Sequence, residues 1–180
     1  MNDIELFNQE IDKMLDTANG LLKDWQYVDG VMKLRIKFIN KSQNPNPTYA
    51  KDGDSGFDLR ANLTEYVILE PGERVLIPTG LFFQIPENFE LQVRSRSGLA
   101  LKNGVMVLNS PGTVDSGYRG EVGVILYNTS KDNFTINNGD RIAQAVIAPV
   151  QTLANTVFVK SDTLDSSERD STGFGSSGIK

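Results

Sequence analysis

The hydrophobic pattern changes period once, near residue 32. Before it, Ile4, Phe7, Ile11, Met14, Ala18, Leu21 and Trp25 recur in steps of three and four, the spacing of one apolar helix face. This predicts an amphipathic helix over residues 1–31, although Gly20 within the run disfavours a long uninterrupted coil. From Met32 the period becomes two: in "KLRIKF", Leu34, Ile36 and Phe38 alternate with Lys33, Arg35 and Lys37. Short strands are then predicted at 57–61, 66–69, 73–78, 81–85, 89–95, 105–109, 121–128, 134–136, 141–149 and 156–159. The intervening "NPNP", "KDGDSG", "EPGE", "PEN", "NSPG" and "NNGD" are turn chemistry. Many short strands with no long helix among them predict an all-β subunit, a jelly roll or distorted barrel. After residue 160 the chain is rich in Ser, Asp, Thr and Gly and cannot form a core of its own. Three parts are expected: an acidic helical extension (1–31), a β domain (32–160) and a flexible C-terminal arm (161–180).

Composition removes whole classes of chemistry. The 180 residues contain neither cysteine nor histidine. Disulfides, His/Cys zinc sites and Ser-His or Cys-His nucleophiles are therefore excluded. An enzyme built from this chain needs Asp or Glu as its acid or base, with a hard oxygen-bound ion such as Mg²⁺ if it uses a metal. The net charge of −5 resides in residues 1–31, where seven acids face Lys13 and Lys23. The neutral body lacks the basic surplus of a nucleic-acid-binding protein. No run is long enough to span a membrane and no signal peptide is evident, so a soluble cytoplasmic protein is expected.

Four stretches carry more Gly, Arg and Asp than turns require. "DSGFDLRA" (54–61) puts Asp58 inside a strand, where it must be paired, capping or wet. "RSRSGLA" (94–100) gathers Arg96, Ser97 and Gly98 at a strand end; it suits phosphate oxygens, or is a solvated basic end. "VLNSPGTVDSGYRGEVGVILYN" (107–128) reads as a hairpin whose tip holds Asp115 and Tyr118, residues that a plain connection does not need. In "GDRIAQAVI" (139–147), Gln144 falls on a face with Ile142 and Val146 and requires a partner if buried, from structure or from ligand. The closing "RDSTGFGSSGIK" (169–180) contains a G-x-G-x-x-G, but no strand precedes it and no helix follows, so it is no dinucleotide fingerprint.

In their order along the chain, "DSGFDLRA", "RSGLA", "NSPGTVDSGYRGEV", "GDRIAQ" and "RDSTGFGSSG" resemble the five motifs of the trimeric dUTP diphosphatases (dUTPases), from about Met32 to Gly178. The resemblance implies a jelly-roll subunit, a homotrimer with sites shared between chains, and Mg²⁺-assisted hydrolysis of dUTP to dUMP and diphosphate. Such an activity limits uracil in DNA and supplies dUMP for thymidylate synthesis. It further implies that Asn109 and the backbone of Gly112, Thr113, Val114 and Asp115 receive uracil, and that Tyr118 packs under the sugar. By the same resemblance Asp115 is the general base; Arg96, Ser97, Gly98 and Gln144 hold phosphates; Asp58 acts on Mg²⁺ through water. Phe174 would stack on uracil, Arg169 would reach the γ-phosphate, and Gly175 and Ser176 would approach the phosphates. Two departures stand out: Gly123 replaces a lysine of some members, leaving only a backbone contact, and Arg94 is more charged than expected. The alternatives are a dCTP deaminase or bifunctional enzyme of the same fold, or a nucleotide-switched regulatory protein. The helix of 1–31 lies outside the resemblance and could contact a protein partner.

Overall fold

The computed structural model describes residues 20, 22–167 and 171. Its strands are β1 (Trp25–Val28), β2 (Val31–Leu34), β3 (Lys37–Asn40), β4 (Phe57–Arg60), β5 (Val67–Leu69) and β6 (Arg74–Gln84). They continue with β7 (Phe89–Arg94), β8 (Val105–Val107), β9 (Gly112–Val114), β10 (Glu121–Asn128), β11 (Phe134–Ile136) and β12 (Arg141–Pro149). One short helix, α1 (Ser97–Asn103), interrupts them and ends on Gly104 in the left-handed conformation, φ 64°. Among the described residues no helix is long and apolar enough to cross a membrane.

Two four-stranded antiparallel sheets dominate, in the orders β3-β6-β10-β8 and β4-β12-β7-β9. The small ladders β1-β2 and β11-β5 complete the pairing. Alternation builds the core directly: along β10 every second residue, Val122, Val124, Leu126 and Asn128, is buried. The first sheet contributes Ile77, Phe83, Val107 and Leu126 to a single cluster, and the second contributes Leu59, Leu91, Val93 and Ile142. Each such side chain contributes about 1.5–3 kcal/mol when removed from water. Asn128 is the polar member of this row and is fully satisfied. Its Nδ2 donates to Leu69 O (2.9 Å) and Asp132 O (2.8 Å), while its Oδ1 accepts from Ser130 N and Oγ.

The strand pattern differs from the sequence reading in four places. Residues Trp25–Val28, expected to end a helix, are extended and pair with Val31–Leu34 around Asp29-Gly30. The segments 73–78 and 81–85 are one strand, β6, running through Pro78 and Gly80. Pro78 pairs with Gly123 beside a register shift, and Gly80 takes φ 71° with its α-carbon against Ser42, where a Cβ would come within 2.7 Å of Ser42 Cβ. The Gly80 N–H donates to Glu121 Oε1, and Thr79 Oγ1 to Val122 O. The strand β9 was not foreseen, and residues 156–159 form none. Beyond Gln151, where the chain divides into a second unit, the described residues hold a turn closed by Asn155 N–H donating to Thr152 O. Residues 1–19 of the expected helix lie outside the described residues, as do Arg169, Phe174, Gly175 and Ser176 of the expected arm.

Candidate functional site

Register places three polar side chains in a row across one sheet. Asp58 on β4 stands opposite Gln144 on β12, which stands opposite Arg94 on β7. Their neighbours Phe57, Leu59, Ala143, Ala145 and Val93 point into the core, so this row faces outward. A bulge between Arg141 and Ala143 sets the phase. It turns Ile142 and Ala143 both inward, which is why Gln144 does not share a face with Ile142 as simple alternation suggested. Gln144 is half-buried and has the structural partner it needs: Nε2 donates to Ser95 O at 3.0 Å. Gly56, at the entrance to β4, lies against this amide, and a Cβ there would come within 3.1 Å of Gln144 Oε1.

Two arginines converge on Asp58. Arg96 Nε lies 3.1 Å from Oδ1 and Arg141 Nη1 lies 3.5 Å from Oδ2, while Arg96 Nη1 donates to Arg141 O at 3.1 Å. The Asp58 and Arg96 side chains are about a third exposed (33% and 28%), so the pair is open to solvent on one side. Asp58 is thus salt-bridged, and it also holds the Arg96 guanidinium at the mouth of a cleft. That cleft, about 370 Å³, is lined by Asp58, Arg96, Ser97, Gly98, Lys102 and Gln144 among others. Arg96 precedes α1, and the first helical bond is from Ala100 N to Arg96 O, so the N–H groups of Ser97, Gly98 and Leu99 precede the ladder. Nothing lies within 4 Å of where a Gly98 Cβ would stand. Cations, a hydroxyl and unladdered N–H groups around one opening suit an anion with several oxygens. Arg141, Ser95 and Lys102 were not among the sequence candidates; the basic turn "GDRIAQ" was the only signal for Arg141.

The hairpin candidates start beside Ser95, whose N–H donates to Ser110 Oγ and whose Oγ accepts from Val107 N–H, and run away from it toward Asp115. β8 pairs with β10, closing the base of the hairpin, and β9 leaves it to pair with the edge of β7. Gly112 is buried against Asn109, whose Nδ2 would be 3.1 Å from an added Cβ. Thr113 is exposed, Val114 half-buried and Asp115 exposed. Tyr118 N–H donates to Asp115 O at 3.0 Å, closing the turn that holds the two residues together. The Tyr118 hydroxyl donates to Glu121 O at 3.1 Å, and the ring lies over Gly120, where a Cβ would stand 2.3 Å from Oη. Gly123 sits under Leu76, with a Cβ position 2.6 Å from Leu76 Cδ1.

Asp115 and Asp58 are far apart in one chain. From β9 to β4 is three strand positions, and Asp115 lies about four residues along from the Asp58–Gln144–Arg94 row. With normal strand spacings that is about 14 Å in each direction, or about 20 Å overall. The structure therefore gathers Asp58, Arg96, Ser97, Gly98 and Gln144 around one cleft, brings Asn109 and Gly112 beside its Ser95 edge, where Ser95 N–H donates to Ser110 Oγ at 3.4 Å, and leaves Asp115 well away from Asp58.

Among the described residues no group of three or more Asp or Glu side chains could cage a metal ion. A single carboxylate, Asp58, beside anion-binding donors is nevertheless a suitable partner for Mg²⁺, which dehydrates reluctantly and is held mainly by substrate phosphates with one or two carboxylates.

Residues 42–178 match the dUTPase family model. A deoxyuridine 5'-triphosphate nucleotidohydrolase of Cytophaga hutchinsonii is 50% identical over 147 residues, covering 82% of this chain and 94% of that protein. One from Caulobacter vibrioides is 52% identical over 151 residues, covering 81% and 96%. Among solved structures, the Staphylococcus bacteriophage 80alpha dUTPase with dUPNHPP superposes with a TM-score of 0.68 at 28% identity, over 80% of this chain and 98% of that one. With the family pattern spanning three quarters of its length and about half of the aligned residues shared with such relatives, this chain belongs to the dUTPase family.

Proposed function

We infer that this protein is a dUTP diphosphatase, releasing dUMP and diphosphate and so limiting uracil in DNA while supplying dUMP. The observation that carries the reading is the cleft at Asp58, Arg96, Gln144 and the first turn of α1, within the segment that matches this family.

Water attacks the α-phosphorus: its oxygen forms the new P–O bond, the bond from the α-phosphorus to the α–β bridging oxygen breaks, and diphosphate leaves. Asp115 takes the proton from that water. A carboxylate is the one side-chain base in this hairpin that can accept that proton without histidine. Arg96, the Ser97 and Gly98 N–H groups and Gln144 bind the phosphate oxygens, with Asp58 fixing the direction of the Arg96 fork. Asn109 and the backbone of Gly112, Thr113 and Val114 receive uracil closely enough to refuse a 5-methyl group. Tyr118, held by Glu121 O, packs under the deoxyribose where a 2′-hydroxyl would collide. Gly123 offers backbone only. When Mg²⁺ is bound with the triphosphate it neutralises developing charge, and Asp58 is the residue that would meet it through water.

The separation of Asp115 from Asp58 supports a homotrimer of jelly-roll subunits with sites shared between chains, because a base must come within hydrogen-bond reach of the attacking water. In this reading the arm supplies Phe174 against uracil, Arg169 to the γ-phosphate and Gly175–Ser176 near the phosphates. Ordering it costs about 1–2 kcal/mol per residue, which only a full triphosphate offsets. Residues 1–31, 32–160 and 161–180 then serve as extension, catalytic body and arm of a cytoplasmic enzyme that needs no nucleic acid and no membrane.

The test is turnover with Mg²⁺ of dUTP, dTTP, UTP and dCTP, with nucleotides separated afterwards. Rapid formation of dUMP from dUTP alone is expected. Deamination of dCTP would replace this reading with the deaminase one, and binding of dUTP without turnover would leave a nucleotide-switched regulator.

A further inference from the structure

The pairing of β10 with β6 is interrupted at one place. Pro78 pairs with Gly123 and Phe82 with Glu121, so Thr79, Gly80 and Leu81 stand opposite Val122 alone. Extra residues on one strand leave backbone groups that the ladder cannot pair, and buried ones need another partner. Side chains supply it. Thr79 Oγ1 donates to Val122 O at 2.6 Å and accepts from Leu81 N–H at 3.2 Å, while Gly80 N–H donates to Glu121 Oε1 at 2.6 Å. Gly80 is buried and cannot give way. At φ 71° it lies against Ser42, where a Cβ would stand 2.7 Å from the side chain and 2.8 Å from the backbone nitrogen. The Glu121 carboxylate is therefore tied to a fixed point of the sheet by a charge-assisted hydrogen bond.

Through its backbone the same residue holds Tyr118. Glu121 O accepts from the Tyr118 hydroxyl at 3.1 Å, and the ring lies over the intervening Gly120. Two further bonds fix the near end of Tyr118: its N–H donates to Asp115 O at 3.0 Å, and its carbonyl accepts from Arg119 Nη1 at 2.7 Å. These set the backbone of the turn but leave both side-chain torsions free. The bond from the hydroxyl to Glu121 O is what fixes the far end of the ring.

We propose that Glu121 is a positioning residue that determines sugar specificity. Its carboxylate, anchored on the Gly80 N–H, sets the carbonyl that pins the Tyr118 ring, and so sets how strictly ribose is refused. This rests on the reading of Tyr118 as the platform under the deoxyribose. Refusing a 2′-hydroxyl by collision needs a wall that does not yield, because a yielding one discriminates weakly. Glu121 need touch neither sugar nor phosphate for this; it acts through Tyr118. The Gly80 N–H requires an acceptor at the right reach. Glutamine keeps both acceptor and reach, whereas aspartate keeps the charge and is one methylene short.

Steady-state kcat and KM for dUTP and for UTP, with Mg²⁺, test this in the wild type, Glu121→Gln, Glu121→Asp and Tyr118→Phe. Glu121→Asp should lower the dUTP-to-UTP ratio of kcat/KM by about tenfold, with turnover of UTP rising in absolute terms. Glu121→Gln should keep the wild-type ratio. Tyr118→Phe leaves the Gly80 bond intact and breaks the same link at its other end, so it should lower the ratio as Glu121→Asp does. Combining Tyr118→Phe with Glu121→Asp should then lower it little further. A merely structural role would weaken both substrates alike. An unchanged ratio in Glu121→Asp therefore overturns the proposal, as does a ratio in Glu121→Gln as low as that in Glu121→Asp. A wild type with no preference for dUTP over UTP would instead remove Tyr118 as the sugar platform, and this inference with it.

Discussion

If each site draws Asp115 from one chain and the Asp58–Arg96 cluster from another, two dead variants should rescue each other. Asp115→Asn removes the base, at a cost of about 10²–10⁴ in turnover. Arg96→Ala removes the guanidinium at the cleft and releases Asp58 from its 3.1 Å partner, with a loss of about 10²–10³. The structural basis is the separation of about 20 Å across β9, β7, β12 and β4, too great for both residues of one chain to serve one phosphorus. In trimers assembled from equal amounts of the two variants, a site works when its Asp115 comes from an Arg96→Ala chain and its Arg96 from an Asp115→Asn chain. Random assembly makes that about a quarter of all sites, so activity should return to about 25% of wild type. The assay is dUMP release from co-expressed, doubly tagged trimers, against each variant alone. Activity no greater than the average of the two single variants would refute the shared site.

Two further outcomes follow from particular contacts. Asn128→Ala strips the donor from Leu69 O inside the core, and a second from Asp132 O at the surface, and should destabilise the protein by about 1–3 kcal/mol, read as a lower urea midpoint with unchanged slope. A shift below about 0.5 kcal/mol would mean that the Asn128 network adds nothing. Removing residues 169–180 should leave far-UV circular dichroism and oligomer mass intact while dUTP turnover falls by at least about tenfold. Undiminished turnover would deny the arm any part in the site.

Where local pattern and global fold agreed, the sequence was readable. Strict alternation in 121–128 and 89–94 made β10 and β7 visible because one face of each is buried in the same core. It failed where a neighbour decided the conformation. Pro78 and Gly80 look like a break, yet β6 continues because Glu121 and Val122 accept the local hydrogen bonds and Ser42 leaves room only for glycine. β9 reads as turn sequence, and only pairing with the edge of β7 makes it a strand. Trp25–Val28 carried the right residues for a hairpin around Asp-Gly, but Trp25 also fitted the helical period. At the candidate site the motif residues were legible, whereas Arg141 as the second partner of Asp58 and Ser95 O as the acceptor for Gln144 depend on the bulge in β12. No local spacing announces a bulge.

The most direct test of the central claim is a single turnover series of dUTP in H₂¹⁸O with Mg²⁺, followed by mass spectrometry of both products. Attack on the α-phosphorus predicts one ¹⁸O in dUMP and none in diphosphate. Label in the diphosphate instead would place the attack on the β-phosphorus and contradict the assignment of Asp115 as the base that delivers water to the nucleotide.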